Sequence, residues 1–103
     1  MGKASRDKGA RIEREIVRRH VELGIHAERV PLSGASGGSF AGDIEITGIG
    51  RAEVKARKDG AGFVTLQRWL GDHAALFLRA DQMAPLVVLP WETYARLLEG
   101  LKP

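Results

Sequence analysis

Residues 42–57 have the sequence GDIEITGIGRAEVKAR, and this stretch predicts a β-hairpin. Charged and apolar side chains alternate with period two in 43–47 and again in 51–57, and residues 48–50 supply a short turn that contains glycine. Alternating residues of a strand point to opposite faces of a sheet. The hairpin therefore gathers one set of charged side chains on a single face, namely Asp43, Glu45, Glu53 and Lys55.

This charged face is typical of a cation site. Three carboxylates at such short range repel one another unless a bound cation or tight pairing offsets their charge. Oxygen ligands of this kind suit Mg²⁺ or Mn²⁺ rather than zinc. The alternative is an amphipathic hairpin with one solvated face, on which such charges carry no function. The hairpin alone leaves both interpretations open.

The segment from about Lys8 to Leu23 is predicted to be a helix that ends before Gly24. Its apolar residues fall on one arc at about 100° per residue, and Glu13 lies near the centre of that arc. A carboxylate there is energetically unfavourable unless it is paired or bound to a metal. We therefore expect Glu13 to point inward, toward the acidic face of the sheet. His20 lies on the same arc, where we expect a hydrogen-bonded core histidine rather than a ligand.

The rest of the chain continues as short helices and strands. The predicted helices cover residues 8–23, 63–73 and 91–101, and the predicted strands cover 25–30, 43–47, 51–57, 75–78 and 86–89. This order, α-β-β-β-α-β-β-α, predicts an α/β fold with a small mixed β-sheet flanked by helices. The length favours one domain over residues 1–103. Within it we expect a flexible basic N-terminus over residues 1–7 and a mobile Gly/Ser-rich loop over residues 31–42.

The composition excludes several classes of protein. Hydrophobic residues make up 44% of the chain and charged residues 28%, which is typical of a globular protein and not of a disordered one. The longest uncharged apolar stretch, residues 84–91, is far shorter than the roughly 20 residues of a membrane span. The absence of cysteine excludes disulfides, thiolate metal sites and cysteine nucleophiles. No secretory signal is evident, so we expect a cytoplasmic protein, in the host cytoplasm if a phage encodes it.

The net charge of +3 is unevenly distributed along the chain. Residues 1–58 hold twelve basic and eight acidic side chains, whereas residues 59–103 hold four and five. This asymmetry favours a polyanionic partner that contacts one side of the molecule. A solvated helix face explains the charge equally well.

Taken together, the acids and the lysine support a specific chemical hypothesis. Glu13, Asp43 and Glu53 would hold a metal that activates water and neutralises the charge building on a scissile phosphate. Lys55 would lie against the phosphate or the attacking water as a fixed cation. The arginine-rich helix and the mobile loop would hold a nucleic-acid backbone. This combination predicts phosphodiester hydrolysis.

The same residues carry a resemblance to a known nuclease superfamily. A helix glutamate, a strand aspartate and a Glu-x-Lys motif occur in order at Glu13, Asp43 and Glu53 to Lys55. With the order of helices and strands, this pattern resembles that of the restriction-endonuclease-like nucleases, the PD-(D/E)XK superfamily. The resemblance implies a restriction-endonuclease-like core.

Within that superfamily the chain is most similar to the archaeal-type Holliday-junction resolvases. Residues 8–17, KGARIEREIV, resemble their opening K-G-x-x-x-E-R-x-I-V block. Residues 29–34, RVPLSG, resemble the segment that enters their active-site loop. Residues 42–44, GDI, followed by residues 53–58, EVKARK, resemble their metal-binding core. Together the matching segments span roughly residues 6–60.

The resemblance implies a Mg²⁺-dependent endonuclease, with Mn²⁺ able to substitute, that acts as a homodimer and places paired nicks across four-way DNA junctions. Its metal ligands would be Glu13, Asp43 and Glu53, its catalytic lysine Lys55, and a further catalytic residue Ser33. Combined with the charge distribution, the predicted DNA contacts are Arg6, Lys8, Arg11, Arg14, Arg29, Arg57 and Lys58.

Two alternative functions stay open beside junction resolution. One is a nuclease of the same fold that acts on other branched or duplex DNA. The other is a nucleic-acid-binding module without catalysis, against which the complete set of acids and lysine argues. Glu45 occupies a position where the resolvases usually carry an apolar or small residue. Its role is extra charge at the metal, a salt bridge with Lys55 or Arg57, or none.

Overall fold

The computed structural model describes residues 2–30 and 42–102, with side chains for residues 9–30 and 44–102. Its elements in chain order are α1 (Gly2–Glu22), β1 (Ala27–Arg29), β2 (Gly42–Ile46), β3 (Gly50–Val54), α2 (Val64–Leu70), β4 (Leu76–Leu78), β5 (Leu86–Val88) and α3 (Trp91–Glu99). The predicted order of helices and strands and the mixed α/β class are confirmed.

The chain divides into two compact units. The first comprises Met1–Ala56 together with Lys102, and it contains α1 and the strands β1 to β3. The second comprises Arg57–Leu101 together with Pro103, and it contains α2, β4, β5 and α3. The single domain expected over residues 1–103 stays a prediction.

The first unit is built on a three-stranded antiparallel sheet in the order β1-β2-β3. One face of this sheet is apolar, with Ala27, Ile44 and Ile46 all buried, and α1 contacts all three strands. The other face carries the charged residues that alternate with the isoleucines. This arrangement is what the period-two pattern of the hairpin predicts, because burial of one face selects the register.

Helix α1 ends where the sequence predicts and begins earlier. The backbone N–H of Ile25 donates to the carbonyl of His20, and that of Gly24 donates to Val21, which is the Schellman pattern of a helix end. Gly24 supplies the left-handed φ of 84° that this pattern needs. At the other end the helix extends back to Gly2. Residues 2–7 lack apolar periodicity, so this extension leaves no signal in the hydrophobic pattern.

The second unit contains a two-stranded antiparallel sheet of β4 and β5. Its register pairs Leu76 with Val88, Phe77 with Val87 and Leu78 with Leu86. Helix α3 begins directly after Pro90, whose carbonyl accepts a hydrogen bond from the Tyr94 N–H. Leu98 of α3 is buried.

The arrangement of the strands differs from the single mixed sheet that was predicted. The described strands form two sheets, and every pairing in them is antiparallel. Local patterning identifies strands and hairpins, but pairing between strands far apart in the chain depends on tertiary packing, so the pattern does not specify it. The restriction-endonuclease-like core therefore stays a prediction.

None of the helices within residues 2–30 and 42–102 combines the length and the apolar character that crossing a bilayer requires.

Candidate functional site

The candidate site lies on the charged face of the three-stranded sheet. The β2–β3 register places Asp43 directly opposite Glu53 and Glu45 directly opposite Arg51. Residues directly opposite in an antiparallel pair share a face, with Cβ atoms about 5 Å apart. The hairpin register therefore brings the Asp43 and Glu53 positions together, as the alternation predicts.

Each described acid on this face has a basic neighbour. Lys55 Nζ lies 2.7 Å from Glu53 Oε2, which is the shortest ion pair among the described side chains of this face. Arg51 Nε lies 3.8 Å from Glu45 Oε1, and His26 Nε2 lies 3.6 Å from Glu28 Oε2. All of these side chains are at least half exposed. Solvent therefore screens the pairs, and each contributes little to stability.

A basic side chain lies close to Glu45, whose role the sequence leaves open. Its carboxylate approaches Arg51 on the neighbouring strand rather than Lys55 or Arg57. At 3.8 Å, and with both side chains more than half exposed, the contact is a weak surface pair. Hairpin geometry accounts for it, because the two residues occupy opposite positions in the register.

The carboxylates that the sequence predicts as metal ligands are not all gathered among the described side chains. Within that described part, no three His, Asp or Glu residues lie together as a group able to hold a metal ion. The Asp43 side chain lies outside the described residues, although its backbone belongs to β2. A Mg²⁺ or Mn²⁺ site thus stays a prediction.

Glu13 points inward, as its position on the apolar arc of α1 predicts. Its side chain is only 9% exposed, and its Oε1 accepts a hydrogen bond from Arg29 Nε at 2.8 Å. The β1–β2 register aligns Arg29 with Ile44, which is 1% exposed on the helix-facing side of the sheet. The Glu13 carboxylate therefore meets Arg29 on the apolar face, rather than the acids of the charged face.

This pairing has a signal in the sequence. Alternation along residues 25–30 places Arg29 on the same strand face as Ile25 and Ala27, both of which are buried. Glu13 occupies the corresponding apolar arc of the helix. One acid and one base, each on an otherwise apolar face, are a signal for an ion pair between the two elements, but the periodicity does not specify which residues meet.

His20 is a core histidine, as predicted. The residue is 1% exposed, and its Nδ1 lies 2.7 Å from the carbonyl oxygen of Ile16, one helical turn earlier. Because a carbonyl oxygen only accepts, Nδ1 carries the proton in this hydrogen bond. The hydrogen bond satisfies the buried ring at this nitrogen.

The basic residues predicted to contact DNA lie in several places. Arg11 and Arg14 are exposed on α1, whereas Arg29 is engaged with Glu13. Arg57 and Lys58 are exposed and begin the second unit.

Other predicted residues fall outside the described part. The backbones of Arg6 and Lys8 belong to α1, but their side chains are not among those described. Ser33 and residues 31–41 of the predicted loop also lie outside the described residues. Gly42, expected at the end of that loop, is instead the first residue of β2.

Comparison of the chain with protein families, with curated proteins and with solved structures gives no match. The resemblance to junction resolvases therefore rests on the three segments quoted above.

Proposed function

We propose that the protein is a metal-dependent endonuclease that resolves four-way DNA junctions by paired nicks. The single observation that carries this proposal is the register of the β2–β3 hairpin, with Asp43 opposite Glu53 and Lys55 bound to Glu53. Two acids at opposite positions repel each other, which a divalent cation between them would offset. The resemblance supplies the class of substrate.

The donor set at these positions fits a hard divalent cation. Carboxylate oxygens are the ligands that Mg²⁺ takes, and one or two carboxylates with waters and substrate phosphates suffice for it. Asp43 and Glu53 are the residues that would hold such an ion. When bound, the ion would lower the pKa of a coordinated water and offset negative charge on the phosphate.

The protein's own residues would perform the remaining work. Lys55 is 57% exposed, so its ammonium group could reach a phosphate oxygen from its position next to Glu53. Its charge would favour the more negative transition state over the bound phosphodiester. Hydrolysis adds a water oxygen to phosphorus and breaks one P–O bond of the backbone, which leaves a phosphate on one end and a hydroxyl on the other.

The basic residues would hold the DNA backbone. Arg11 and Arg14 are exposed one helical turn apart on α1, a spacing that puts both on nearly the same face. Arg57 and Lys58 follow the Glu-x-Lys motif within three residues of Lys55. Contacts of this kind read the backbone rather than the bases, which suits recognition of a branched shape. A homodimer would supply the two active sites that paired nicks need.

The test is a nicking assay on a labelled immobile four-way junction with Mg²⁺. We expect paired nicks from the wild type, and at least about a hundredfold slower cutting by Asp43→Asn and by Glu53→Gln, because each change removes a ligand charge. Junction binding by both variants should stay at or above the wild-type level. A wild-type cutting rate in either variant would contradict the proposed site.

Glu28→Gln is the matched control for these variants. Glu28 is an exposed acid on the same face of the sheet, opposite Glu45, and has no part in the proposed site. We expect it to cut at the wild-type rate. Linear duplex and Y-shaped DNA separate the alternatives: equal cutting of these substrates indicates a nuclease without junction selectivity. Junction binding without any metal-dependent cutting indicates a non-catalytic binding module.

A further inference from the structure

We propose that Glu13 and Arg29 form an ion-pair lock between α1 and β1, and that the metal site of the nuclease consists of Asp43 and Glu53 without Glu13. The second half of this inference rests on the proposed function, whereas the first half stands on the structure of the pair alone. The resemblance implies that Glu13 is a metal ligand and that Arg29 is a DNA contact. In this proposal the two residues instead share a structural role.

Burial of Glu13 makes its charge depend on Arg29. The Glu13 side chain is 9% exposed, and the Arg29 side chain is 42% exposed. A carboxylate removed from water to this extent needs a compensating charge or hydrogen bond, and Arg29 Nε supplies both at 2.8 Å. Loss of Arg29 leaves the Glu13 carboxylate buried and unpaired, which is less favourable than loss of both charges, whereas loss of Glu13 leaves an arginine that water partly solvates.

The two faces of the sheet separate Glu13 from the proposed metal site. Arg29 aligns with the buried Ile44, so the Glu13–Arg29 lock lies on the helix-facing side. Glu53 is 50% exposed, and alternation along β3 places it with Arg51 on the other face. Ligands of Mg²⁺ must all lie about 2.1 Å from one ion. Carboxylates on opposite faces of the sheet do not meet this condition.

A double-mutant cycle tests the lock in the full-length chain. The variants are Glu13→Gln, Arg29→Gln and the double variant, each melted without metal and followed by circular dichroism. We expect Arg29→Gln to lower the Tm by about 10 °C and Glu13→Gln to lower it less, because the arginine is partly exposed and the carboxylate is not. The double variant should melt above Arg29→Gln, because it leaves no unpaired buried charge. A double variant that melts at or below the lower of the two single variants overturns the lock.

Should Arg29→Gln fail to fold, the double variant and Arg29→Lys carry the same test. The lock requires both to fold, since one removes both charges and the other retains the positive charge. If the double variant does not fold, or if Arg29→Lys is no more stable than Arg29→Gln, the lock is overturned.

Mn²⁺ binding tests the second half without requiring DNA cleavage. Titration of Mn²⁺, followed by electron paramagnetic resonance, should give the double variant an affinity within about twofold of wild type. Asp43→Asn should bind at least about tenfold more weakly, because it removes a ligand. A tenfold loss in the double variant, equal to that of Asp43→Asn, would put Glu13 back among the ligands. If wild-type protein neither binds Mn²⁺ nor nicks DNA, the proposed function and the metal half of this inference are both overturned. The melting cycle would still test the Glu13–Arg29 lock, because it is carried out without metal.

Discussion

At the level of single residues, the local environment of a side chain changes its pKa. Tyr94 on α3 is the only tyrosine of the chain, and its ring meets that of Trp91 edge to face, with centroids 5.2 Å apart. Burial raises the pKa of the Tyr94 hydroxyl above the usual 10.0, because burial disfavours the charged phenolate. The shift ties the protonation of this residue to folding.

The sign of that shift predicts a loss of stability at high pH. The unfolded chain releases the phenolic proton at a lower pH than the folded chain, so stability from this group is complete below pH 10 and declines as pH rises through the folded pKa. Between pH 9 and pH 11, wild type should therefore lose more stability in urea than Tyr94→Phe loses. Absorbance at 295 nm should follow the single phenol titrating above pH 10. Equal losses in both proteins would contradict the assignment.

At the scale of elements, β2 carries the core and the candidate site on alternate residues. Ile44 and Ile46 are 1% and 4% exposed, whereas Glu45 between them is half exposed. A slip of one residue in register would bury the acids and expose both isoleucines, so the hydrophobic face holds the site residues at their positions. The apolar packing of β2 thus keeps Asp43 opposite Glu53.

Truncation within this strand and in its turn should have very different effects. Ile44→Ala should lower the free energy of unfolding by about 2–4 kcal/mol, because it leaves a cavity in the core of the first unit. Ile49→Ala removes the same atoms from a side chain that is 50% exposed in the turn, and it should change stability by about 0.5 kcal/mol or less. Urea unfolding curves of the two variants provide the comparison. Similar losses would contradict the burial pattern.

At the scale of the whole molecule, the excess positive charge belongs to one unit. The first unit holds eleven basic and eight acidic residues, whereas the second holds five of each. A polyanion would therefore be attracted mainly by the first unit, where Arg11 and Arg14 are exposed on α1. The asymmetry of charge along the chain therefore coincides with the division into two compact units.

Salt dependence of DNA binding tests this distribution. The double variant Arg11→Gln/Arg14→Gln should bind a four-way junction more weakly. The slope of log affinity against log salt should fall in magnitude by about 2, because each phosphate that an arginine neutralises adds close to one to that slope. The control is Arg68→Gln/Arg79→Gln, which removes two exposed arginines from the second unit. Fluorescence anisotropy at several salt concentrations measures both. Equal slopes for the two variants would contradict an interface centred on the first unit.

Local sequence patterns are sufficient to predict the order of the helices and strands, the hairpin and its charged face. These features depend on local periodicity and on turn residues such as Gly24 and Gly48, whose positive φ angles suit glycine. Because charged and apolar side chains alternate over residues 43–46, the sequence predicts which face of the strand the isoleucines occupy and which face the acids occupy. The inward Glu13 and the buried His20 were predictable because one helical arc contains them, and the end of α1 was predictable from Gly24.

The partners that these residues meet depend on how separate elements pack against one another. Glu13 and Arg29 are sixteen residues apart, and their hydrogen bond depends on how α1 packs on β1, which neither periodicity specifies. The division of the strands into two antiparallel sheets is likewise a matter of packing between distant segments. Periodicity determines which face a side chain occupies, because it follows from backbone geometry alone. The partner of a charged residue depends on how a second element packs against it. For this reason the sequence predicted that Glu13 faces the acids of the charged face, whereas in the structure Glu13 pairs with Arg29.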